Sequence, residues 1–112
     1  MGNSQITFIG FWGIFSRPEE NSATTNQVFL IEKLKQIQLV SRRKFSRNYS
    51  QCRICSFNKN GDSEYAIDGF VWPESYIHYL ENHNVAIDDS FKKFIEDFDF
   101  QEQHDTVFEY SY

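Results

Sequence analysis

Apolar and polar positions alternate along this chain with periods that predict most of its elements. Ile6 to Phe15 is apolar without clean alternation, which suits a buried strand better than a short helix. A polar loop with Pro18 spans Arg17 to Ala23. Thr24 and Gln27 have the spacing of a capping box. A helix is therefore expected from there to about Gln36, with Leu30, Ile31, Leu34 and Ile37 as its inner stripe. Leu39 to Tyr49 reads as basic and partly extended.

Asp68-Gly69 sits between two alternating runs, the strongest short-range signal for a tight hairpin, because both turn residues need positive φ. A two-residue loop pairs Ile67 with Phe70 and Tyr65 with Trp72, and these four should share the buried face. Pro73 suits the first position of a following helix, with Glu74 near its positive end. That helix should turn Tyr76, Ile77 and Leu80 inward and stop near His83-Asn84, where Asn tolerates the left-handed conformation. A last short helix starts at Asp88 or Asp89, with Phe91, Phe94, Ile95 and Phe98 at i, i+3, i+4 and i+7. From Thr106 the tail alternates again, with Phe108, Tyr110 and Tyr112 on one side. It suits either an edge strand beside the N-terminal one or a loose end.

Length and composition fit one domain over residues 1–112. Leu, Ile, Val and Phe supply 31 of the 112 residues, well above the roughly 20% level of disordered chains. A domain this small buries only about 60–70% of its unfolded surface, so an internal clip would help it. The elements place a core at about 28–95, with 1–23 and 99–112 as peripheral extensions. The expectation is a soluble, cytoplasmic chain. No apolar run is long enough to cross a membrane, the first fifteen residues lack a secretory pattern, and Ile6 breaks the myristoylation pattern after Gly2.

The net charge of −5 hides an asymmetry. Lys33 to Lys59 carries eight basic residues and no acid, whereas Asp62 to Tyr112 carries thirteen acids against Lys92 and Lys93. Arg42, Arg43, Lys44 and Arg47, interleaved with Phe45 and Tyr49, form a candidate partner-contact band. The competing expectation is that this middle packs against the acidic half of the same domain.

The chemistry concentrates in Cys52-x2-Cys55 and His78-x4-His83, separated by 22 residues. Two thiolates and two imidazoles in this order read as a tetrahedral zinc site. A cysteine loop, then a hairpin, then a histidine-bearing helix is the treble-clef order. The fold expectation is therefore α+β: a small treble-clef-like zinc domain with an N-terminal helix and a short C-terminal helix. Four protein ligands leave no open position, so one structural zinc per chain is expected. One geometric condition follows. Five residues on an ideal helix turn about 500°, leaving His78 and His83 about 140° apart, so the helix must tighten or end before His83. A redox pair would open a helix, whereas this one runs into Asn58-Lys59-Asn60-Gly61. A disulfide would need an oxidising compartment. His104, in an acidic polar stretch, reads as a solvated surface residue.

Ser50-Gln51-Cys52-Arg53-Ile54-Cys55, Asn60-Gly61, Glu64, Asp68-Gly69, Val71-Trp72-Pro73-Glu74, His78-Tyr79, His83, Val85 and Phe94 together resemble a family of small bacterial proteins of uncharacterised function. The family pattern is Cys-Arg-Ile-Cys-Gly, Asn-Gly, an acid, Trp-Pro-Glu, His-Tyr, a second His and a closing Phe. The likeness spans about Val28 to Ile95. Ser56 stands where that family has Gly, and Asp88-Asp89-Ser90-Phe91 replaces its Pro-Glu-Phe. The resemblance implies zinc-type ligands and no established activity.

The function expected is a zinc-stabilised, non-enzymatic binding module whose partner is a protein. A ββα-metal nuclease is the enzymatic alternative. It would need a general-base histidine beside an open metal position, and both plausible histidines are already engaged as ligands. Asp62, Glu64, Asp68 and Glu74 are its candidate magnesium ligands. Two non-enzymatic readings compete with the protein-binding module. One is nucleic-acid binding without catalysis. The second is neutralisation of a toxin by the acidic half, in the manner of an immunity protein.

Overall fold

The computed structural model describes residues 6–12, 17–45, 51–55, 57 and 61–106. Arg47, Tyr49, Ser56, Phe15 and the alternating tail beyond Thr106 lie outside the described residues. The fold is mixed α+β: β1 (Thr7–Phe8), α1 (Val28–Val40), β2 (Arg42–Phe45), β3 (Ser63–Ile67), β4 (Phe70–Pro73), α2 (Tyr76–Asn82) and α3 (Asp89–Asp97). The four strands form one sheet in the order β1-β4-β3-β2.

The hairpin forms in the expected register, Tyr65 opposite Trp72 and Ile67 opposite Phe70. Asp68 and Gly69 both have positive φ, at 51° and 86°, as a two-residue turn of this hand requires. Tyr65, Ile67 and Trp72 face the three helices in a core shared with Leu34, Ile37, Tyr76, Phe91 and Ile95. The opposite face is buried as well, where Ala66 and Val71 pack with Ile6. Trp72 is fully enclosed and donates its indole N–H to Gln38 Oε1 at 3.0 Å.

Two helix starts differ from their local signals. The Thr24–Gln27 capping box does not form, and α1 begins at Val28 with no side-chain cap from Gln27. The buried Gln27 amide instead bridges another part of the chain. It donates to the Val85 carbonyl and accepts from the Ile87 N–H, both at 2.9 Å. Pro73 remains the last residue of β4, opposite Glu64, and α2 starts at Tyr76. The ladder carries on past Pro73 because the Glu74 N–H donates to the Ser63 carbonyl. Gly61, at φ 87°, makes room for Glu74: a Cβ there would overlap its carboxylate. That carboxylate accepts the Ser63 N–H at 3.2 Å. The inner stripe of α1 is buried as expected, and α3 buries Phe91 and Ile95 behind an Asp88 cap that accepts the Ser90 N–H.

The N-terminal segment is woven into the sheet. Thr7 and Ile9 donate to the Gly69 and Val71 carbonyls in a parallel pairing of β1 with β4, and Ile9 is buried. At the other end, His104 corrects the surface reading: its ring stacks on Phe98 at 4.0 Å. One ring nitrogen faces the Asp68 carboxylate and the other the Asp99 carbonyl. Asp68 and Asp105 then exchange two hydrogen bonds of 2.7 Å, which clamp residues 104–105 onto the hairpin turn.

Candidate metal centre

Three short pieces of chain build the site. Cys52 and Cys55 stand on a tight loop closed by the Cys52 N–H on the Phe57 carbonyl at 2.8 Å. Within it the amides of Ile54 and Cys55 both point at Cys52 Sγ, at 3.4 Å. His78 lies in the first turn of α2, and His83 is its C-cap residue, at φ −126° and ψ 6°. Asn84 follows at φ 48°, the left-handed stop expected from its residue type. The helix therefore ends before His83, and the two imidazoles converge with ring centroids 5.1 Å apart.

Cys52 Sγ lies 3.4 Å from His83 Nε2, and Cys55 Sγ lies 3.4 Å from His78 Nε2. All four ligand atoms fall within 4.8 Å of one another. Cys52, Cys55, His78 and His83 are thus positioned to bind one metal ion, and among the described residues they are the one such cluster. The centre has two sides: Cys52 and His83 are buried, while Cys55 is exposed and His78 half-buried beneath the stacked ring of Phe57.

The electrostatics favour ligation. Burial alone would raise the Cys52 thiol, but the Cys55 and Ile54 amides, the Cys55 side chain and His83 outweigh it, so its pKa falls below the ordinary value. Burial, helped by His83, lowers His78 and leaves it a neutral imidazole with a lone pair to offer. Burial pushes the Tyr79 phenol up, so it stays protonated, and its oxygen accepts the Arg53 N–H at 2.8 Å.

The first ring of support comes from the N-terminal arm. His83 Nδ1 donates to Glu20 Oε2 at 2.8 Å, which frees Nε2 to be the ligand. Beside it, Asn21 and Ala23 donate to the carbonyls of His83 and Asn84, and Ser22 Oγ accepts the Ala86 N–H. On the cysteine side, the Trp12 ring meets Tyr79 edge-on at 4.6 Å, and its carbonyl faces Arg53 Nε. Sequence spacing gave no sign of Glu20 or Trp12. Tyr79 was visible only as the neighbour of His78 in the resemblance.

The remaining candidate residues are placed elsewhere. Arg42, Arg43 and Lys44 are exposed on β2, the edge strand of the described sheet, and contribute nothing to the metal cluster. Arg43 donates to Ser63 Oγ at 2.8 Å and lies over the Phe45 ring. Some of the basic charge is met inside the fold: Lys35 pairs with Glu81 and Glu32, and Lys33 donates to the Glu96 carbonyl. Of the acids a nuclease would need, Asp68 and Glu74 hold structural hydrogen bonds and Glu64 is buried. No helix among the described residues is long and apolar enough to cross a membrane. No family model matches the chain, and neither the curated proteins nor the solved structures contain a match for it.

Proposed function

We propose that this protein is a zinc-stabilised binding module without catalytic activity, its one zinc held in a treble-clef-like arrangement by Cys52, Cys55, His78 and His83. The observation that carries the reading is the donor set and its spacing. Zinc bonds of about 2.3 Å to sulfur and 2.0–2.1 Å to nitrogen, at tetrahedral angles, put sulfur about 3.6 Å from nitrogen. Both cross-pairs stand at 3.4 Å, so an ion needs only a small outward adjustment. Two thiolates and two imidazoles suit zinc over magnesium or calcium, which take oxygen. Four protein ligands leave no position for substrate, and His104 is engaged at the hairpin turn rather than beside the cluster. These facts weigh against the nuclease reading. Cytoplasmic residence, where thiols stay reduced, suits the site.

The partner in this reading is a protein, met in part by the exposed strand of Arg42, Arg43 and Lys44. An acidic surface is the complement such a strand selects, and nucleic acid is the runner-up.

The test is metal content and metal-dependent stability. One zinc per chain is expected in protein purified without chelator. Structural zinc sites bind with about 10–16 kcal/mol in zinc-finger peptides, comparable with the whole stability of a domain, about 5–15 kcal/mol. Cys52→Ser should therefore lose the metal and unfold most of the chain, as read by circular dichroism. A Cys52→Ser protein with wild-type zinc and melting temperature would remove the proposal.

A further inference from the structure

The outer face of α1 does not look like a solvated helix face. Val28, Phe29, Leu39 and Val40 are 61%, 77%, 85% and 50% exposed. At 100° per residue, these four span a stripe centred opposite the buried stripe of Leu30, Ile31, Leu34 and Ile37. The two apolar pairs stand eleven residues apart, three turns, with Glu32 and Gln36 between them. Lys35 sits against Glu32 and neutralises it.

This layout is self-complementary. A two-fold axis through the middle of the helix, near Leu34, reverses its direction. It sets Val28 against Leu39 of the other copy, and Phe29 against Val40. The relation holds at both ends at once, as an isologous interface requires. A cleft of about 610 Å³ opens beside Val28, floored by Ile31 and Leu80 and walled by Thr24. Val28 and Leu39 lie on the same side of the stripe, so the two-fold aims the most exposed of the four side chains, Leu39, at that cleft. One end of the helix is thus a knob and the other a hole.

We propose that α1 is a homodimer interface: two copies pair antiparallel through this helix, Leu39 of each seated in the cleft beside Val28 of the other. The helix is about 20 Å long. Covering its stripe and the cleft on both copies removes on the order of 1,000 Å², the lower edge for a specific interface. The dimer is accordingly reversible, forming in the micromolar range and above. The metal ligands are on the cysteine loop, on α2 and at its C-cap, so pairing leaves the metal count at one per chain.

Sedimentation equilibrium of the full-length, metal-loaded protein over a hundredfold concentration range tests this. A monomer–dimer equilibrium is expected for the wild type. Phe29→Glu, Leu39→Glu and Val28→Lys should each be monomeric while melting within a few degrees of the wild type, because the replaced side chains are exposed. Mixing Val28→Lys with Leu39→Glu should restore a heterodimer, because antiparallel pairing sets the new opposite charges face to face and parallel pairing does not. If a charge variant fails to fold, Phe29→Ser gives the same reading without a buried charge. A wild type that stays monomeric to millimolar concentration overturns the proposal and leaves the face to a different protein. A dimer indifferent to these substitutions, or no rescue on mixing, overturns it too.

Discussion

Removing the Glu20 carboxylate asks whether the N-terminal arm is part of the metal centre. The Glu20–His83 hydrogen bond is 2.8 Å long and charge-assisted, about twice as strong as a neutral one. It fixes the ring so that Nε2 points at Cys52 Sγ. Loss of such an outer-shell partner typically weakens metal binding 10–100-fold, or about 1.4–2.8 kcal/mol at 1.4 kcal/mol per tenfold. The Glu20 side chain is 44% exposed, so water screens part of the attraction, and Glu20→Ala should fall near tenfold. Glu20→Gln keeps an oxygen acceptor without the charge and should lie between Glu20→Ala and the wild type. The assay is zinc competition against a chromogenic chelator at fixed pH, with the absorption of the cobalt-substituted protein as a check on ligand geometry. A purely structural Glu20 would lower the melting temperature of the zinc-saturated protein and leave its metal affinity and cobalt spectrum alone. That result would refute the reasoning, while a wild type that binds no metal would refute the metal site itself.

Trp72→Ala should destabilise the metal-loaded protein by about 3–5 kcal/mol in urea titration, because the side chain is fully buried against Tyr65 and Phe91. An undiminished stability with lost partner binding would make it a recognition residue instead. The Asp99 carbonyl first, and then Asp68, hold the His104 imidazole above its ordinary pKa. Its stabilisation is therefore complete below the unfolded value of about 6.5 and is lost as pH rises through the folded pKa. The stability gap between wild type and His104→Gln, both zinc-saturated, should shrink from pH 6 to pH 9, and a gap that widens would contradict it. Gly61→Ala should cost about 1–3 kcal/mol, since it combines a left-handed Ala with displacement of Glu74. Paired with Glu74→Ala, the two losses should sum to less than their separate values.

What could be read from the sequence was local chemistry. Asp68-Gly69 fixes its turn because positive φ is a property of those two residues. The α1 stripe and the cysteine and histidine spacings are likewise short-range patterns. The misreadings share a cause, which is that a distant segment overrides the local signal. Gln27 is drawn from the capping box by backbone groups at Val85 and Ile87, 58 and 60 residues away. Pro73 is held in β4 by its register with Glu64. His104 is taken from solvent by Phe98 and by a carboxylate 36 residues away. Glu20 carried no motif at all, because nothing in a loop glutamate shows which histidine it will meet.

The His-x4-His spacing is where local and distant constraints meet. On a continued helix His83 would point about 140° from His78, and no tetrahedral site could form. The chain resolves this by stopping α2 after seven residues. Asn84 enters the left-handed region, and the Val85 N–H joins that of His83 on the Tyr79 carbonyl. The stop is then fastened from outside: Asn21 holds the His83 carbonyl, Ala23 that of Asn84, and Glu20 the ring. Helix termination is thus a metal-site determinant here. The arm that fastens it continues into the loop before α1. Metal affinity and arm docking are consequently one linked equilibrium, since anything that binds the docked state better stabilises it by mass action. A metal ion joining Cys52 to His83 closes the circuit from the cysteine loop through α2 to the arm. An ion bound there would therefore stabilise more of the domain than the few residues it touches.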